Sequence, residues 1–137
     1  MIYRELSNGV KMPMLIQGIP MAGASQGMSY KEFHNVVRYS IECGIRGFDT
    51  SSAYGPSEKA IGKLMPELDR SKIFITTKIN NSQQIEGDIA GCVERALKLM
   101  HTDYIDCMLL HWPYPGYDTN WKELEKLYEK GYLRSIG

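Results

Sequence analysis

The chain has 137 residues, 43% of them apolar, enough for one domain with a hydrophobic core. Its 16 basic and 16 acidic residues cancel, which removes the electrostatic case for nucleic acid or an anionic membrane surface as a partner. No basic-then-apolar leader opens the sequence and no apolar run approaches bilayer length. Cys43, Cys92 and Cys107 lack the close spacing of a zinc site, so the expectation is a cytoplasmic protein with reduced core thiols and no metal.

Residues 3–6 and 10–15 flank Ser7-Asn8-Gly9, a hairpin signal ahead of the main fold. The apolar stretch 15–19 predicts a first buried strand. Ser29 and Glu32 form a capping-box pair, and Phe33, Val36, Val37 and Ile41 follow at helical spacing until Gly44. Residues 45–48 predict a strand running into Asp49. Pro56 suits the start of a helix over 57–65, which Pro66 ends. The β-rich run 72–77 leads to Lys78. Ile89, Val93, Leu97 and Met100 mark a third helix, 104–110 a fourth strand, and Trp121, Leu124, Leu127 and Tyr128 a fourth helix closed by Gly131. Asn120 and Glu123 offer its cap, and residues 133–137 begin a fifth strand.

Apolar strands alternating with amphipathic helices imply parallel βα units with both sheet faces covered, in one domain over 1–137. Right-handed crossovers then bring the C-terminal strand ends to one side, where Asp49, Tyr54, Lys78 and His111 all fall. Taken singly, Asp49 suits a helix cap, Lys78 a solvated strand end, and His111 a satisfied core histidine. Together they suit proton transfer. A tyrosine hydroxyl titrates near ~10, too high for a good acid at neutral pH, but an adjacent lysine ammonium stabilises the phenolate. Lys78 is placed to do this for Tyr54, within hydrogen-bond or ion-pair reach of both Tyr54 and Asp49, with Asp49 holding it charged. His111 can donate a hydrogen bond to a substrate carbonyl oxygen. None of these groups supplies a hydride, so a reduction here implies a nicotinamide cofactor. Trp112 either lines the substrate pocket with Tyr54 and His111 or simply packs. Glu58 supports the Tyr54 loop, His34 and His101 lie on the surface, and the methionines fill the core.

Gly44-Ile45-Arg46-Gly47-Phe48-Asp49-Thr50-Ser51-Ser52-Ala53-Tyr54-Gly55-Pro56-Ser57-Glu58-Lys59-Ala60-Ile61-Gly62 resembles the signature of the aldo-keto reductases. Phe74-Ile75-Thr76-Thr77-Lys78 and Asp103-Tyr104-Ile105-Asp106-Cys107-Met108-Leu109-Leu110-His111-Trp112-Pro113 resemble the next two blocks of that family, and the likeness runs from the N-terminal hairpin to residue 137. The resemblance implies a (β/α)₈ TIM barrel that reduces aldehydes and ketones with NADPH. Carried over by position, the catalytic tetrad is Asp49, Tyr54, Lys78 and His111, with Gly18, Ile19 and Asp49 near the cofactor. Where many members read Gly-Thr-Trp, this chain reads Gly18-Ile19-Pro20, without the hydroxyl near the cofactor and the aromatic pocket wall.

A whole barrel of this type takes ~250 residues, so the sequence accounts for four βα units and the start of a fifth strand, a half-barrel. The family's nicotinamide-amide and adenosine-phosphate contacts come from beyond the equivalent of Gly137. The expectation is a truncated reductase, inactive alone, with interior side chains such as Phe48 and Leu110 uncovered. Two open sheet edges, near residues 15–19 and 133–137, imply self-association. The rival expectation is a non-catalytic half-barrel that binds itself or a partner through those edges.

Overall fold

The computed structural model describes residues 1–19 and 28–137. An antiparallel pair, β1 (Tyr3–Glu5) and β2 (Lys11–Pro13), opens the chain. Gly9 closes its turn at φ 83°, a left-handed conformation that costs glycine nothing. Asn8 Nδ2 donates to Arg134 O at 2.8 Å, tying the hairpin to the far end of the chain. Val10 and Pro13 face Arg46, Phe74 and Arg134 across a cavity at the N-terminal ends of the later strands.

Four parallel strands follow, β3 (Ile16–Gly18), β4 (Gly47–Asp49), β5 (Phe74–Ile79) and β6 (Cys107–Leu110), lying side by side in chain order. Helix α1 (Tyr30–Glu42) joins β3 to β4, α2 (Ser57–Leu64) joins β4 to β5, and α3 (Asn81–Glu86) and α4 (Ile89–Met100) lead to β6. Helix α5 (Tyr117–Glu129) comes last. Strand order equal to chain order means that every crossover advances one strand in the same sense, as a winding barrel requires.

Side-chain alternation decides which face meets the helices. Phe48, Ile75, Ile79 and Met108 join Phe33, Val37, Ile61, Leu64, Val93, Met100 and Leu124 in one core between sheet and helices. Asp49, Thr76 and Cys107, neighbours in register, take the opposite face, and Lys78 shares it two residues beyond Thr76. Phe48 and Leu110 therefore correct the expectation that they line the barrel interior: Phe48 is buried under the helices and Leu110 packs on the margin of the same core.

The Ser29 capping box forms as expected, with Glu32 N–H donating to Ser29 Oγ and Ser29 N–H to Glu32 Oε2. Four other expectations change. The first strand is only half-buried, because no strand flanks its outer edge among the described residues. Strand β5 continues past Lys78, held by Lys78↔Leu109 and Ile79↔Leu110 pairing. Asn120 does not cap the last helix; it lies inside α5, buried, and its Nδ2 donates to Gln84 O at 3.0 Å, while Gly116 at φ 88° precedes the first turn. Cys43 caps α1 and is exposed, unlike Cys92 and Cys107. Residues 133–137 run parallel beside β6 through Ile105↔Leu133 and Met108↔Ile136, and no strand covers their other side among the described residues. Pro20 lies outside the described residues. Among those described, no helix is long and apolar enough to cross a membrane.

Candidate active site

Each of the four polar groups stands at the C-terminal end of the sheet for a local reason. Asp49 is the last residue of β4, Lys78 the second-last of β5, His111 follows β6, and Tyr54 sits in the connection from β4 to α2. Lys78 Nζ donates to Asp49 Oδ1 at 2.7 Å, Asp49 Oδ2 at 2.6 Å and Thr50 O at 2.8 Å. An ammonium has three donors, so these acceptors occupy all of them. Its side chain is 14% exposed and that of Asp49 32%, so the pair sits at the rim of the sheet rather than in bulk water.

Tyr54 stands over this pair, with Lys78 Nζ 5.4 Å from its ring centroid. The expectation of a Lys78 hydrogen bond to Tyr54 is thus replaced by an approach to its ring, because Asp49 and Thr50 have taken the donors. The His111 ring meets Tyr54 edge-on, at 5.8 Å between centroids and 80° between planes. On its other side His111 stacks with Trp112 at 5.9 Å and 8°. Its backbone N–H donates to Ile79 O, and its Nδ1 lies 3.1 Å from Ser51 Oγ. Burial pushes the His111 pKa below the usual histidine value and the Lys78 charge adds to this, against an opposing pull from Asp49.

Trp112, 61% exposed, is therefore not a core residue. With Ala53, Asn80, Asn81, Ser82 and His111 it lines an open cleft of about 350 Å³. Gly18 is exposed at the end of β3, beside Asp49 in register, and among the described residues a Cβ built there would meet nothing within 4 Å. Ile19 departs from its expected place near a cofactor: its side chain is buried in the core beneath the helices, and only its backbone, donating N–H to Asp49 O, belongs to the rim.

The loop that presents Tyr54 is pinned on both sides. Ser52 N–H donates to Lys78 O at 3.1 Å, and Ser52 Oγ donates to Gln83 Oε1 at 2.6 Å. Gln83 Oε1 also accepts Asn80 N–H, closing the capping box of α3. Tyr54 O accepts from Ser57 Oγ at 2.5 Å. Glu58, buried one residue into α2, accepts the Thr77 hydroxyl at 2.7 Å and so ties the start of that helix to β5. Ser51, Ser52 and Gln83 are site residues that sequence reasoning overlooked. Their signals were a serine doublet directly behind Asp49-Thr50 and the Asn80-x-x-Gln83 cap spacing.

A model of the Aldo/keto reductase family matches residues 15–137. The 9,11-endoperoxide prostaglandin H2 reductase of Trypanosoma cruzi is 38% identical over 96% of this chain and 46% of its own length. The glyoxal reductase of Bacillus subtilis is 34% identical over 97% of this chain and 47% of its own. Among solved structures, a thermostable aldo-keto reductase in complex with the inhibitor epalrestat superposes with a TM-score of 0.88 at 28% identity, covering 100% of this chain and 53% of that one. A Bombyx mori aldo-keto reductase in complex with NADP gives 0.82 at 26%, covering 99% and 49%. The chain thus spans about half the length of the curated relatives it matches, and its sheet and helices correspond to half of a (β/α)₈ barrel. Matched by the family model over nearly its whole length and by barrel structures throughout, the chain belongs to the aldo/keto reductase family.

Proposed function

We propose that this chain carries the proton-transfer half of an NADPH-dependent reductase of small aldehydes and ketones. The observation that carries the reading is the Lys78 ammonium, fixed by Asp49 and standing 5.4 Å from the Tyr54 ring, with His111 edge-on to the same ring. In this reading Tyr54 gives its hydroxyl proton to the substrate oxygen as that oxygen gains negative charge. The Lys78 charge lowers the cost of the phenolate left behind, acting through space because its donors are engaged. Asp49 holds the ammonium in place and aimed. His111, neutral because burial and Lys78 disfavour its proton, donates a hydrogen bond that orients the carbonyl and stabilises the alkoxide. Trp112 walls the cleft in which a small carbonyl compound sits, consistent with relatives named glyoxal and methylglyoxal reductases.

The residues present fit one wall of a nicotinamide site. No described residue fills the space over Gly18, and the Asp49 carboxylate beside it is part-exposed. NADPH, when bound, supplies the hydride that complements the proton from Tyr54. Because the relatives are about twice as long, the remaining cofactor contacts belong to the second half of a barrel, and the reading expects little or no activity from these residues alone.

The test is NADPH oxidation with 4-nitrobenzaldehyde, measured on the chain alone and on a fusion to the C-terminal half of a relative's barrel. Turnover is expected in the fusion only. Tyr54→Phe in the fusion should lower kcat by at least ~10²-fold, the usual contribution of a general acid. A fusion that turns over equally well with Phe at 54 would overturn the assignment of the proton donor.

A further inference from the structure

Ser51 is fully buried, and its hydroxyl has a defined set of neighbours. Ser51 Oγ accepts the Ala53 N–H at 3.1 Å. Its own proton has two acceptors in view: His111 Nδ1 at 3.1 Å and Lys78 O at 3.4 Å. The carbonyl lies beyond the usual O–H···O range and already takes the Ser52 N–H at 3.1 Å. The opposite arrangement, with Nδ1–H donating to Ser51, would leave a buried hydroxyl proton with only that long contact, an expensive outcome for a side chain shut off from solvent. Tyr54 edge-on at 5.8 Å and Trp112 stacked at 5.9 Å hold the ring between them, so it has little freedom to turn Nδ1 elsewhere. A neutral imidazole carries one N–H, and the bond made by one nitrogen decides the state of the other.

We propose that Ser51 is a positioning residue for the reduction: its hydroxyl donates to His111 Nδ1, fixes the Nε2–H tautomer, and keeps a hydrogen-bond donor available to the substrate's carbonyl oxygen. This rests on the reductase reading for its purpose but not for its geometry. The low proton affinity that burial gives His111 supports it, because only the neutral ring has a tautomer to fix. Ser51 touches neither substrate nor cofactor in this scheme and acts through His111.

The experiment reads the tautomer directly, from side-chain ¹⁵N shifts of the ¹⁵N-histidine-labelled chain at pH 8. With three histidines in the sequence, His111→Asn identifies the His111 signals by their loss. The parent should show a protonated Nε2 and a bare, hydrogen-bonded Nδ1. Ser51→Thr and Ser51→Val have nearly the same volume and differ in the hydroxyl, so crowding in the buried site is common to both. Thr should keep the parent pattern, whereas Val, and Ser51→Ala beside it, should show an added Nδ1–H population. If the chain associates, magic-angle spinning of the assembled material reads the same shifts. A parent ring protonated on Nδ1, or Thr, Val and Ala spectra that coincide, would overturn the proposal. The correct tautomer in a fusion that reduces no aldehyde would defeat the reductase reading and leave the Ser51 assignment standing; the wrong tautomer in an active fusion would do the reverse.

Discussion

Asp106 Oδ2 accepts from Arg70 Nη2 at 2.7 Å and from the backbone N–H of Ile75 at 2.9 Å, so one carboxylate on the approach to β6 secures the start of β5. Arg70 completes the joint, donating to Thr102 Oγ1, Ile73 O and Tyr104 O and lying 3.9 Å over the Tyr104 ring. The carboxylate is 6% exposed and the guanidinium 16%, so solvent screens the pair little. Removing one member of such a pair strands the other. Asp106→Ala should cost about 3 kcal/mol, and Asp106→Asn less, since an acceptor for Ile75 survives. Urea unfolding in low and high salt measures this. A loss under ~0.5 kcal/mol that vanishes in salt would mean that the pair behaves as a surface contact.

Gly62 tests the packing of α2 on α4. A Cβ built at this position would lie 2.0 Å from Leu99 O and 3.1 Å from Met100 Cα, backbone atoms that cannot swing aside. Alanine is the better helix former by about 1 kcal/mol, but forced separation of packed helices costs about 1–3 kcal/mol. Gly62→Ala should therefore destabilise the chain, with the clash winning at this short distance. Thermal unfolding that shows the variant equal to the parent, or firmer, would mean that the helices part more easily than the geometry implies.

The residues that sequence placed well are those whose signals are local. Phe33 and Val37 repeat at helical spacing, Ser29 and Glu32 cap each other, and Asp49, Lys78 and His111 end or follow apolar runs. The errors involve partners far along the chain. Asn120 has the type and spacing of a cap, yet Gln84, 36 residues earlier, claims its amide. Lys78 has the chemistry to bond Tyr54, yet Asp49 and Thr50 fill its donors. For Ser51 the local signal, a serine doublet behind Asp49-Thr50, gives no role; that arises from a ring 60 residues away. Phe48 lies under the helices rather than in the barrel interior, and a strand of three residues, Gly47–Asp49, is too short for its alternation to be read from sequence.

The open sides of the sheet make a prediction about association. Strand β3 and residues 133–137 each present backbone donors and acceptors that no strand covers among the described residues. Met14 and Leu15 stand exposed beside the first of these edges. Such edges invite strand pairing with another copy. Size exclusion with light scattering should report dimers or larger species for the 137-residue chain. A monodisperse monomer that unfolds cooperatively would show that the half-barrel protects its own edges.

Glu58 gives a prediction about pH whose sign can be worked through. Burial raises its pKa, opposed only by the Thr77 hydroxyl that donates to Oε1. An unfolded chain binds this proton with the ordinary affinity of a glutamate, near ~4.3. Below that pH both states are protonated and the contribution of the site is intact. As pH climbs through the raised folded value, the unfolded state has already released its proton while the folded state must ionise a buried carboxyl, so stability falls. Glu58→Gln keeps an acceptor for Thr77 and cannot ionise. The extra amide group adds a cost that does not vary with pH, so the informative quantity is the difference between variant and parent across a pH series. That difference should shift in favour of Gln between pH 4 and pH 8, read from urea midpoints converted with each protein's own slope. A difference that stays flat would mean that Glu58 ionises without penalty, and that the short bond from Thr77, rather than protonation, is what lets a carboxyl rest beneath the Tyr54 loop.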